Sequence, residues 1–139
     1  MTTISFWHMN NIHRAVRLYQ SPDLQYFVTE DGAWSPILHC PLFTIVNQEL
    51  LFFFKQHAYP VESHPVKIID RVLNQTFDGY HRIYIKDEIT PSTYANIDTT
   101  GFKLWRFQGA VFVSNSVKEL LEETRIEGIC FTPGFSMWG

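Results

Sequence analysis

The sequence predicts an α+β fold in a single domain, 1–139: a mixed, mostly antiparallel sheet with two main helices and a strand, cap and helix unit used twice. Two observations predict it. From Phe102 to Phe131 the chain divides into strand, tight turn, strand, helix, turn and strand. From Leu42 to Phe54 the same strand, cap and helix pattern occurs a first time.

Taken in order, Ile4 to Met9 alternates partly and reads as an opening strand, with Asn10 and Asn11 as turn or cap residues. Ile12, Ala15, Val16 and Tyr19 fall at i, i+3, i+4 and i+7, which favours a short helix. A hairpin return strand through Val16 and Leu18 is the alternative. Ser21, Pro22 and Asp23 punctuate the chain before a strand at Leu24 to Thr29, and Glu30, Asp31 and Gly32 form a loop tip. Two prolines between Ala33 and Pro41 break regular structure, so this segment is expected to be irregular or extended chain at the surface or a sheet edge.

Leu42 to Val46 reads as a strand. Asn47 is placed to cap a helix carrying Leu50, Phe53 and Phe54, and Leu51 and Phe52 widen its apolar surface. This helix is expected to be the more deeply buried of the two. Pro60 and Pro65 bracket a loop. Strands then follow at Val66 to Ile69 and Tyr80 to Ile85, with the turn chemistry between them in Asn74 to Gly79. Asp87 to Asp98 is polar and contains proline, so it reads as a loop.

Leu104 to Phe107 and Ala110 to Val113 are short β-rich runs joined by Gln108 and Gly109, a hairpin pattern. Val117, Leu120 and Leu121 then give one buried helical stripe. Ser114 or Ser116 supplies the cap, and Ser116 with Glu119 fits a capping box. Gly128 suits a left-handed turn before the extended run Ile129 to Phe131. Aligned on the first unit, Val46 falls on Val113, Asn47 on Ser114, Leu50 on Val117, and Phe53 and Phe54 on Leu120 and Leu121.

Composition narrows the function classes. Apolar residues make up 45% and aromatics 16% of the 139 residues, which excludes general disorder. The net charge is -3 and no Lys/Arg-rich run occurs, so nucleic acid binding has no electrostatic footprint. Cys40 and Cys130 sit singly inside apolar runs and read as buried thiols. The sequence has no signal-peptide pattern and no 18-residue apolar run, so a cytoplasmic protein without a membrane span is expected.

Chemistry-bearing patterns are sparse. The six histidines form no HExxH or HxH spacing, and His57 and His64 flank a loop without clear further metal ligands. His39 and Cys40 are neighbours on an extended run, so their side chains point to opposite faces and do not make a base and nucleophile pair. Ser114 has a structural role as a cap. No catalytic, metal or cofactor site is therefore expected. Glu119, Glu122, Glu123 and Glu127 present negative potential suited to a basic partner, and Asp87 with Glu88 is a second acidic pair. Trp7, Trp34 and Trp138 lie near ends or loops, where two exposed together would make an interface anchor.

The run LWRFQGAVFVSNSVKELLEETRIEGICF resembles the C-terminal segment of immunity-protein families eleven and forty-three of bacterial polymorphic toxin systems. The matching pieces are Leu104 to Phe107, Phe112 to Ser114, Lys118 to Glu123, Ile126 to Gly128 and Ile129 to Phe131. IVNQELLFFFKQ, PVKIID and GYHRIYIKDEI are similar to the families' central segments, so the resemblance spans 41–131 and leaves 1–40 unmatched. Asn47 stands where serine is expected, and both residues cap helices.

The resemblance implies a small cytoplasmic protein that binds a cognate protein toxin and blocks it without turnover. Glu119, Glu122, Glu123, Glu127, Asp87 and Glu88 are then the expected contact residues, and homo-oligomer formation is left open. An alternative is a small ligand-binding domain or enzyme with an aromatic and histidine-lined pocket near Tyr80 and Tyr84.

Overall fold

A computed structural model describes residues 4–40, 43–57 and 59–135. In chain order its elements are β1 (Phe6–Asn11), β2 (Arg17–Gln20), β3 (Tyr26–Glu30), β4 (Ile37–Cys40), β5 (Phe43–Asn47), α1 (Gln48–Gln56), β6 (Glu62–Asp70), β7 (Gln75–Tyr84), β8 (Leu104–Phe107), β9 (Ala110–Ser114), α2 (Asn115–Glu122) and β10 (Ile129–Pro133). The fold is α+β. Its strands divide between two sheets, a four-stranded one ordered β10-β1-β9-β8 and a closed barrel ordered β2-β3-β6-β7-β5-β4.

The four-stranded sheet is antiparallel throughout and joins the two ends of the chain. β1 lies between β9 and β10, with Met9 opposite both Val111 and Phe131. Gln108 and Gly109 both take positive φ, 49° and 80°, the primed-turn geometry that suits the twist of a two-residue hairpin. The barrel is antiparallel except where β3 meets β6 and β2 meets β4. Gly79 takes φ 93° beside a register shift between Val66 and Ile68, which bends the long β6–β7 ribbon into the closed wall.

Three apolar clusters follow from this arrangement. Leu18, Tyr26, Leu38, Ile45 and Ile68 fill the barrel. Phe6, Ile89, Trp105 and Phe112 form a smaller cluster at the sheet. Between barrel and sheet lies the largest cluster, and both helices contribute to it: Leu50, Leu51, Phe53 and Phe54 from α1, Val117 and Leu121 from α2. All four α1 residues are at most 4% exposed, as the wide apolar surface predicts, although Phe52 points outward at 65%.

Several expectations are corrected. The segment 12–19 is neither the helix nor a hairpin return onto β1: its strand, Arg17–Gln20, pairs with β3 and β4 of the barrel, Ile12 and Tyr19 are 58% and 53% exposed, and Val16 and Leu18 are buried, so the stripe read as helical never faces one side. Ile37–Cys40 is a strand within Ala33 to Pro41, because Pro36 immediately precedes its first residue and needs no ladder donor inside it. The β6–β7 turn falls at Arg71 to Asn74, so Gln75 to Gly79 already belong to β7. Asp70 fixes that turn by accepting the N–H groups of Val72 and Leu73, both at 3.0 Å. β6 begins at Glu62 and includes Pro65. Asp87 to Asp98 holds one 3-10 turn, Tyr94–Asn96, and is anchored by fully buried Ile89.

Asn47 caps α1 as expected, its side chain accepting from Leu50 N–H at 2.9 Å. Ser114 occupies the cap position of α2 but makes no cap hydrogen bond. Its Oγ donates to Gly101 O at 2.6 Å and accepts from Lys103 N–H at 3.1 Å, tying the loop before β8 to the end of β9. Ser116 lies inside the first turn, so the capping box with Glu119 is not formed.

Candidate functional site

The last turn of α2 leads through Ile126 and Glu127 into Gly128, whose φ of 89° turns the chain back into β10. Ile12 N–H donates to Gly128 O at 2.8 Å, which brings the exposed Ile12 against this turn. The result is a groove of about 410 Å³ lined by Ile12, Leu121, Ile126, Ile129 and Phe131, with Glu122 and Glu127 also in its wall. The groove borders β10, which pairs with β1 on one side and is an edge of its sheet.

Charge at the groove is organised by Lys118. Its Nζ sits 4.6 Å from the Trp7 ring and 5.7 Å from the Phe131 ring, and it pairs with Glu122 at 2.8 Å. Trp7 is fixed in turn, its indole N–H donating to Asn115 Oδ1 at 2.7 Å. With Glu122 paired to Lys118, Glu127 is the other carboxylate in the groove's lining, while Glu119 and Glu123 are exposed nearby on or just after α2.

Only part of the expected acidic set comes together. Glu119, Glu122, Glu123 and Glu127 lie on or just after α2. Asp87 and Glu88 lie beyond the opposite edge of the sheet, where Glu88 bridges to Arg106 of β8. Two strands separate the edges β10 and β8, about 14 Å at the usual strand spacing. Glu88 is also engaged by the Arg106 guanidinium at 2.5 Å. Of the groove's lining only Glu122 and Glu127 were among the expected site residues; Ile12, Leu121, Ile126, Ile129 and Phe131 were not, since as apolar residues they read as core.

The remaining candidates stand apart from one another. Tyr80 is buried and donates its hydroxyl to Ser35 O at 3.0 Å; burial pushes its pKa up to about 12. Tyr84 is exposed, with the Arg106 guanidinium over its ring. His57 is exposed and stacks on Phe102 at 5.0 Å, and His64 is exposed on β6. Cys40 is buried, and Cys130 is half-buried with its thiol donating to Asn11 O at 3.5 Å. Trp7 and Trp34 belong to different regions, Trp34 packing on Phe77 at 4.3 Å, and Trp138 lies outside the described residues. Among the described residues no group of three or more His, Cys, Asp and Glu side chains is placed to hold a metal ion.

A second cavity, a cleft of about 560 Å³, opens where the β8–β9 hairpin and β1 approach β2, β3 and β4 of the barrel. None of the described helices is long and apolar enough to cross a membrane. No family model, no curated protein and no solved structure matches the chain.

Proposed function

We propose that this chain is an immunity protein that binds a cognate protein toxin in the cytoplasm and neutralises it by covering its active or binding surface. The observation that carries the reading is the groove beside β10, an apolar floor walled by Glu122 and Glu127, with the exposed carboxylates Glu119 and Glu123 nearby on or just after α2. The resemblance of Leu104 to Phe131 to immunity-protein families supports the same reading. A toxin segment rich in Lys or Arg with one or two apolar side chains is the complementary surface.

The test is co-expression with the C-terminal domain of a toxin encoded beside the chain's gene. Protection of the cells and co-purification of a stable complex are expected. A toxin left fully active and unbound overturns the reading. The surface has its own test: Glu122→Lys with Glu127→Lys is expected to weaken the complex at least tenfold and to lower its dependence on salt, read by titration at two ionic strengths. Unchanged affinity moves the contact away from this groove, with Asp87→Lys and Glu88→Lys as the next pair to try.

A further inference from the structure

The cleft between sheet and barrel carries a separate inference. Its floor is buried and apolar: Met9, Ile37 and Val111 are 2%, 6% and 1% exposed. Its rim is polar and open, with Arg17 and Glu30 from adjacent barrel strands facing the Gln108–Gly109 turn of the sheet. A volume of about 560 Å³ is in the range of small-molecule sites.

The rim pair is poised without being closed. Arg17 Nη1 and Glu30 Oε1 lie 3.8 Å apart, beyond hydrogen-bond distance, with side chains 59% and 50% exposed. Among the described residues neither side chain has another charged partner. The β2–β3 register shifts between Arg17 and Leu18, an irregularity that re-aims a side chain from the regular pleat. An exposed pair of this kind contributes little to stability, so opening it for a ligand costs little.

The charge pattern selects the ligand. A singly charged molecule at this rim meets a like charge beside its partner. A molecule with one carboxylate and one ammonium a few atoms apart satisfies both, the guanidinium taking the carboxylate in its two-pronged geometry and Glu30 taking the ammonium. The apolar floor then receives a hydrocarbon side chain. We propose that this cleft binds a free α-amino acid with an apolar side chain, independently of any toxin contact at the α2 groove.

The experiment is titration of the full chain with leucine, isoleucine, valine, methionine and phenylalanine, followed by amide NMR shifts. Expected is saturable binding of at least one of them below about 10 mM, with shifts at Arg17, Glu30, Gln108 and Gly109. For that amino acid, the amidated form, which keeps only the ammonium, and the N-acetyl form, which keeps only the carboxylate, are each expected to bind at least tenfold more weakly. Arg17→Ala and Glu30→Ala should each lose at least tenfold with an unchanged melting temperature, because both side chains are surface-exposed. No saturable shift for any of the five, equal binding of either blocked form, or full affinity in both variants overturns the proposal.

Discussion

Asn47 and Ser114 end their strands with nearly the same backbone, φ -76° and -73° with ψ 171° and 168°, yet their side chains serve different partners. Asn47 turns inward on its own helix and satisfies Leu50 N–H. Ser114, fully buried, is taken by the Gly101–Lys103 segment that leads into β8. A local pattern of apolar strand, small polar residue and apolar helix sets the backbone in both units. What packs against the cap decides where its hydroxyl or amide goes, and that is a long-range fact. The helices differ in the same sense. α1 is embedded between barrel and sheet, whereas α2 buries Val117 and Leu121 and leaves its acidic side free for the groove.

The strongest way to break this comparison is through the two helices. Phe54→Ala is expected to cost about 3–5 kcal/mol and Leu121→Ala about 2–5 kcal/mol near the lower end, because Phe54 is fully buried and Leu121 is 5% exposed. Urea denaturation measures both, and a larger loss for Leu121→Ala would contradict the deeper embedding of α1. The caps come next. Ser114→Ala removes two part-buried hydrogen bonds, with Lys103 N–H and Gly101 O, for a loss of about 1–3 kcal/mol, with faster amide exchange at Lys103. Asn47→Ala is expected to cost about 1 kcal/mol, with faster exchange at Leu50. Equal loosening of α2 in Ser114→Ala would restore Ser114 as a true cap.

A smaller effect separates the units by pH. His81 lies opposite Val46 of the first unit, and its pKa is lowered from 6.5 by burial and then by the charge of Lys55 on α1. The unfolded chain therefore takes up this proton first as the pH falls. The contribution of neutral His81 is complete above pH 6.5 and is lost as the pH falls toward the lower folded value. His81→Gln should flatten the acid side of the stability profile, and Lys55→Gln should flatten it in part. A profile unchanged in both variants would place the acid sensitivity elsewhere. Smallest of all, Gln108→Asn should raise stability by less than about 0.5 kcal/mol, since asparagine suits the positive φ at that turn position. A loss of stability in a melting experiment would mean that Gln108 makes contacts beyond the turn.

Features set by neighbours in sequence were legible. Val46 to Phe54 and Gln108 to Leu121 each carry strand end, helix start and apolar stripe within a short stretch, and those elements formed there, although only Asn47 of the two cap residues bonds its own helix. Features set by distant partners were not. The pairing of Tyr26 with Ile68 closes the barrel, and no local periodicity encodes it. Ile12 to Tyr19 has helical spacing, but the sheet and barrel draw Val16 and Leu18 inward and leave the ends of the stripe in water. Of the acidic residues, those on or just after α2 could be grouped from the sequence. The separation of Asp87 and Glu88 depends on the strand order and could not.

The insertion of β1 between β9 and β10 has a consequence for synthesis in the cell. Every barrel strand lies between Arg17 and Tyr84, so that body can close while later residues are still being added. The first strand has no partners until β9 and β10 have emerged, a delay on the order of seconds at ordinary elongation rates. During that interval a bare strand with two unpaired edges waits beside a finished barrel. A nascent chain arrested before Ala110 should therefore protect the barrel amides but leave Phe6 to Asn11 open to proteolysis, a vulnerability that ends when β9 and β10 pair with β1.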